Sequence, residues 1–164
     1  MCHDETMASA PEFTIDTSTI YRVTIATTKG DIVMDLDPRI APNTVNNFVT
    51  LARGGFYDGL TFHRVVPGFV IQGGCPSGTG TGGPGYKFAD EPVQGNYRDG
   101  AVAMANSGPD TNGSQFFICL GDQMGLPKQY NLFGTTVAGL DVVKNISVGD
   151  VMTSVSIEEL PIEG

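Results

Sequence analysis

Glycine and proline cut this chain into short pieces. There are 22 glycines and 10 prolines among 164 residues, and such residues interrupt regular backbone, so the elements between them must be brief and joined by many turns. Where the pieces are apolar, they mostly alternate. Tyr21, Val23 and Ile25 are interleaved with Arg22 and Thr24, a turn falls at Lys29-Gly30, and Ile32, Met34 and Leu36 alternate with Val33 and Asp35, which predicts an opening β-hairpin. The runs Leu60 to Val66 and Phe69 to Gln72, split by Pro67-Gly68, predict a strand, a turn and a strand. Ala101 to Ala105, Phe116 to Leu120 and Ser154 to Leu160 predict further strands. Two stretches have a helical period. Val45, Phe48, Val49 and Ala52 share a face in a segment that opens at Ala41-Pro42-Asn43-Thr44 and stops at Gly54-Gly55, and Leu140, Val143 and Ile146 share a face within Val137 to Ile146. Many short strands with two helices suit a closed or nearly closed antiparallel barrel, because closure removes exposed strand edges.

A chain of this length buries about two-thirds of its unfolded surface without disulfides or metals, so one core is expected. The reading places a loose N-terminal tail at residues 1–18 and a single domain at 19–164. A formal charge of −9 repels phosphate backbones and anionic headgroups, which disfavours nucleic acid and membrane surfaces as partners. Cys2, Cys75 and Cys119 are too scattered for a disulfide framework and show no CxxC spacing. The first twenty residues lack a secretory pattern, and no run of about 18 apolar residues occurs. A cytoplasmic location and a monomer are the expectations.

Few groups are available for acid–base or nucleophilic chemistry, since the chain has two histidines. Cys119 with His63 is one conceivable thiol and base, but Cys119 follows Phe116-Phe117-Ile118, where a buried, inert thiol is expected. Cys2-His3-Asp4-Glu5 offers ligand atoms without fixed geometry, so no metal is expected. The stretch Gly73 to Gly85 lacks the Gly-Lys-Ser/Thr ending of a phosphate-binding loop and reads as a surface turn, or as a rim against which a peptide can lie. Cys75 beside it reads as a partly exposed spectator thiol. Taken singly, Arg64 reads as a strand arginine in an ordinary salt bridge, and Phe69 and Phe117 as core aromatics.

Two longer stretches change that reading. One is Tyr57-Asp58-Gly59-Leu60-Thr61-Phe62-His63-Arg64-Val65-Val66-Pro67-Gly68-Phe69-Val70-Ile71-Gln72-Gly73-Gly74. The other is Met104-Ala105-Asn106-Ser107-Gly108-Pro109-Asp110-Thr111-Asn112-Gly113-Ser114-Gln115-Phe116-Phe117-Ile118. With Gly80-Thr81-Gly82-Gly83 and Leu132-Phe133-Gly134, they resemble the cyclophilins in order and spacing over roughly residues 20 to 160, in the manner of a bacterial-like single-domain form. The resemblance implies a mostly β fold, a closed eight-stranded antiparallel barrel capped by two helices, and cofactor-free peptidyl-prolyl cis/trans isomerase activity that assists protein folding.

Carried onto matching positions, the resemblance implies Arg64 as the central catalytic residue, held by Gln72, with Phe69, Val70, Phe117 and Leu126 around the proline ring. Gly80, Ala105, Asn106, Ser107 and Gln115 would border the groove, Asn106 chiefly through its backbone, with His63 and Tyr130 beside the pocket. The implied partners are proline-containing peptides and unfolded or folded protein clients. Many family members carry Trp-Leu and then a histidine where this chain has Gly125-Leu126 and Tyr130. The missing indole predicts weakened cyclosporin affinity with catalysis better preserved. The rival expectation is a binding module in which the groove recognises one proline-containing partner and turnover is incidental.

Overall fold

The computed structural model describes residues 11–78, 80 and 83–162. Strands β1 (Thr19–Thr27) and β2 (Gly30–Leu36) form the expected hairpin, with Thr27 opposite Gly30 across the turn. Their alternating residues Tyr21, Val23, Ile25, Ile32, Met34 and Leu36 are buried. Helix α1 (Pro42–Arg53) begins with Pro42 in its first turn, where a missing N–H costs nothing, and the chain turns left-handed at Gly55 with φ 78°. There follow β3 (Phe62–Val66), β4 (Val70–Gly73), β5 (Ala101–Met104), β6 (Phe116–Cys119), β7 (Leu132–Ala138), helix α2 (Leu140–Asn145) and β8 (Met152–Pro161).

All strand pairs are antiparallel, in the order β3-β4-β6-β5-β7-β2-β1-β8. The sheet curls until its outer strands approach, but they do not pair as a ladder and meet through the bridge Thr61 to Val151 and flanking backbone bonds, among them Phe62 N–H to Asp150 O at 3.0 Å and Met152 N–H to Leu60 O at 2.8 Å. The barrel is therefore joined at one corner, and the expectation of full closure was too strong.

The sheet buries apolar side chains on both faces. Inside, Phe48 of α1 stacks on Tyr57 at 4.7 Å and meets Phe116 edge-on at 5.4 Å, among Ile71, Val102, Met104 and Ile118. Alternation turns Val70, Ala101, Ala103, Phe117 and Cys119 to the opposite face, where they form a second cluster with Tyr97 and Leu132. This is why β5 and β6 are unbroken apolar runs, and the second cluster becomes the floor of the site.

Two further expectations are corrected. Val137 and Ala138 extend β7, Ala138 opposite Val33, and the helix begins only after Gly139, whose φ of 84° breaks the strand and where a Cβ would collide with the Asp31 carbonyl. Cys75 is 1% exposed, not a surface thiol. Part of the segment expected as a tail contacts the domain. Thr14 N–H donates to Asn46 Oδ1 at 2.9 Å, Asn46 Nδ2 donates to Glu12 O at 3.0 Å, and Ile15 is buried in the main core. Residues 1–10, with Cys2-His3-Asp4-Glu5, lie outside the described residues, as do Thr81 and Gly82. Among the described residues no helix is long and apolar enough to cross a membrane.

Candidate active site

A bulge sets the geometry of the site. Phe62 pairs with Gly73 but Arg64 pairs with Gln72, so β3 spends an extra residue, His63, against β4. Strict alternation would send His63 and Arg64 to opposite faces, whereas the bulge lets both line the same hollow while Phe62 stays in the core.

That hollow, about 510 Å³, is lined by His63, Arg64, Phe69, Val70, Gln72, Gly80, Ala105, Asn106, Phe117, Leu126 and Tyr130. A second hollow of about 400 Å³ shares Gln72, Gly80, Ala105 and Asn106 with it and adds Ser107 and Gln115. Every site residue that the resemblance implied thus lines one of two hollows with four residues in common.

Arg64 is exposed and forms no ion pair among the described residues, so the ordinary salt-bridge reading finds no support. Instead, one guanidinium N–H points to Gln72 Oε1 at 3.3 Å. Gln72 Nε2 donates to Gln115 Oε1 at 3.1 Å, and Gln115 Nε2 donates to the Gly80 carbonyl at 2.9 Å. This row of neutral amides orients the cation without cancelling its charge.

The apolar part of the groove rests on the second cluster. The Tyr130 ring meets Phe117 edge-on, with centroids 5.5 Å apart and planes at 82°. Tyr97 holds this wall, since its hydroxyl donates to Tyr130 O at 2.6 Å and accepts from Tyr130 N–H at 3.2 Å. Asn106 spends its side chain on the scaffold, Nδ2 donating to Gln129 O at 2.8 Å and Oδ1 accepting from Gly108 N–H at 3.2 Å.

His63 is half-buried with Nδ1 enclosed and, among the described residues, unpartnered, and its Nε2 lies 3.4 Å from where a Cβ on Gly80 would sit. Burial first, and the adjacent Arg64 charge second, push its basicity below the usual histidine value. Cys119 is fully buried, and burial pushes its thiol up to about 12, so no thiolate is available near neutrality. Among the described residues no group of three or more His, Cys, Asp or Glu side chains could hold a metal ion.

Sequence reasoning left unassigned Pro84, Tyr86, Lys87, Thr111, Gly113 and Ser114, which line the second hollow. The last three fall inside the Met104 to Ile118 stretch. Tyr86 is placed by its hydroxyl donating to Asn47 Oδ1 on α1, a long-range contact without a local signal.

Residues 22–163 match the family described as cyclophilin type peptidyl-prolyl cis-trans isomerase/CLD. Peptidyl-prolyl cis-trans isomerase B of Bacillus subtilis is 55% identical over 130 residues, 77% of this chain and 90% of that protein. A peptidyl-prolyl cis-trans isomerase of Synechococcus elongatus is 50% identical over 135 residues, 81% of this chain and 93% of its own. Among solved structures, a cyclophilin type peptidyl-prolyl cis-trans isomerase of Cryptosporidium parvum superposes with a TM-score of 0.79 at 34% identity, covering 87% of this chain and 99% of that one. The same protein crystallised in the presence of the dipeptide Ala-Pro gives 0.78. By sequence and by fold, the chain belongs to the cyclophilin-type peptidyl-prolyl cis/trans isomerase family.

Proposed function

We propose that this chain accelerates rotation about X-Pro peptide bonds in exposed segments of cytoplasmic protein clients, and that Arg64 supplies the decisive interaction. Resonance holds the planar amide behind a barrier of about 18–20 kcal/mol. As the bond twists, the proline nitrogen regains a lone pair, so a fixed donor aimed at it binds the twisted state better than either planar isomer. A guanidinium suits this role because it is permanently charged and presents several donors, and no proton need be transferred. Phe69, Val70, Phe117, Leu126 and Tyr130 provide apolar walls for the pyrrolidine ring. They anchor it while the acyl side turns, and they exclude water that favours the more polar planar amide. With the Asn106 side chain committed to Gln129 and Gly108, its backbone is what it offers a peptide.

The observation that carries this reading is the amide row from Gly80 through Gln115 and Gln72 to Arg64, which fixes an unneutralised cation over an apolar floor. Exchange NMR of a short Ala-Pro peptide with wild type and Arg64→Ala tests it. The variant is expected to lose about 10²–10³ in kcat/KM, the usual effect of removing one preorganised donor. A loss below tenfold in a folded variant rejects the role of Arg64. No acceleration by folded wild type leaves a proline-peptide binding module. Cyclosporin is expected to bind weakly, since Gly125 offers no indole and Tyr130 stands where many relatives carry histidine.

A further inference from the structure

The chain is acidic, with 18 Asp and Glu against 9 Lys and Arg, yet its groove is not. Arg22, Lys29, Arg39, Arg53 and Lys144 are engaged in ion pairs. That leaves 9 − 5 = 4 basic side chains, Arg64, Lys87, Arg98 and Lys128, without an ion-pair partner among the described residues. Two of the four line the groove, and a third flanks it in sequence. Arg64 lines the first hollow, Lys87 lines the second, and exposed Lys128 lies between Leu126 and Tyr130 in the chain that forms one wall.

Among the described residues no carboxylate lines either hollow. Exposed Asp90 and Asp110, close in sequence to Lys87 and Thr111, stand outside the lining, where they accept hydrogen bonds from neutral donors. Asp110 Oδ1 accepts from Asp90 N–H at 2.8 Å, Asp90 Oδ2 accepts from Asp110 N–H at 3.2 Å, and Asp90 Oδ1 accepts from Asn112 Nδ2 at 2.9 Å.

We infer that the groove selects X-Pro segments carrying an acidic side chain close to the proline, on the flank that enters the second hollow beside Lys87. This rests on the isomerase reading and specifies its substrate class. The sign is opposite to what net charge alone dictates. A molecule at −9 attracts basic peptides at long range, but charges beyond about 8–10 Å are screened at ordinary ionic strength, so at contact the lining decides.

The test uses acetylated, amidated peptides around Ala-Pro that place Glu, Gln or Lys two residues before the proline, and a mirrored set two residues after it. Exchange NMR gives kcat/KM, and shift titration of the same samples gives Kd. The Glu peptide of one set is expected to exceed its Lys counterpart about three- to tenfold at low salt, the scale of one or two exposed charge contacts, and the ratio should fall towards one near about 0.5 M salt. Lys87→Glu should reverse the order, and Lys87→Gln should lie between. Equal values across both sets, a preference for Lys, or a Glu preference unmoved by Lys87→Glu overturns the inference. Absence of turnover with every peptide defeats the isomerase reading instead, and the Kd series then still decides the charge preference.

Discussion

Arg64 is the exposed residue of the otherwise buried or half-buried strand β3, and an unrestrained guanidinium there would sample many rotamers and lose much of its value as a preorganised donor. Gln72 is the residue that prevents this, being both its cross-strand neighbour and its hydrogen-bond partner. Gln72→Ala is therefore expected to lower kcat/KM about tenfold, the equivalent of one charge-assisted hydrogen bond. Because it acts through Arg64, the double variant with Arg64→Ala should be no slower than Arg64→Ala alone. Additive losses in that cycle would show that Gln72 acts on the peptide independently. His63 supplies the pH dependence. Its lowered basicity keeps the imidazole neutral around neutrality, so kcat/KM should be flat from about pH 6.5 to 8 and fall only in acid, where a second cation appears beside Arg64. The sign for stability is the same. The folded state holds fewer protons on this group than the unfolded chain does, so its contribution is intact above about 6.5 and declines as pH drops towards the lowered folded value. A pH–rate profile with a step at the ordinary histidine value would contradict the buried, neutral imidazole.

At the scale of elements, the groove depends on a contact between two loops. Gln123 Nε2 donates to Gly68 O at 2.9 Å in the β3–β4 turn and to Leu120 O at 2.9 Å, while its backbone N–H donates to Tyr97 O at 2.7 Å and its carbonyl accepts from Leu126 N–H at 3.1 Å. The residue thus fixes the separation of Phe69 and Leu126 on facing loops, in a segment where Gly125 offers no bulky anchor. Gln123→Ala should raise KM about three- to tenfold with kcat little changed. Gln123→Glu should fail to rescue it, since a carboxylate cannot donate to carbonyls. A fall in kcat at constant KM would refute the clamp. Nothing local announced Gln123, because its partners are backbone carbonyls up to 55 positions away. By contrast the hairpin, α1 and the apolar strands were legible, as alternation and helical period are local consequences of burial. The bulge at His63 was not, because it exists only relative to β4, and the β7–α2 boundary was missed because Val137 and Ala138 fit either pattern until Gly139 turns the chain. The groove residues Arg64, Gln72 and Phe117 were found through the motif that contains them, since singly each has an ordinary structural reading.

Across the whole molecule, the helix that fills one end of the barrel is coupled to the groove through a buried polar junction. Ala41 offers α1 no side-chain cap, and the carboxylate of distant Glu91 takes that place. Its Oε2 accepts from Asn43 N–H at 3.0 Å, and its Oε1 accepts from Thr44 N–H at 2.8 Å and from the Thr44 hydroxyl at 2.6 Å. Anionic charge at a helix N-terminus also complements the macrodipole. Glu91 N–H donates to Asn131 Oδ1 at 2.9 Å, and Asn131 Nδ2 donates to Thr44 Oγ1 at 2.9 Å, which closes the junction immediately after Tyr130 of the groove wall. Removing the carboxylate strands donors on α1, including a hydroxyl on fully buried Thr44. Glu91→Ala is expected to cost about 1–3 kcal/mol, combining a lost cap with an unsatisfied buried group. For a domain of this size that corresponds to a fall in Tm of roughly 3–10 °C by calorimetry. Glu91→Gln keeps one acceptor oxygen and should lose less. Because Asn131 supports Tyr130, the Ala variant should also bind proline peptides more weakly well below its Tm, and an unchanged Tm would mean that the junction is filled by water at no cost.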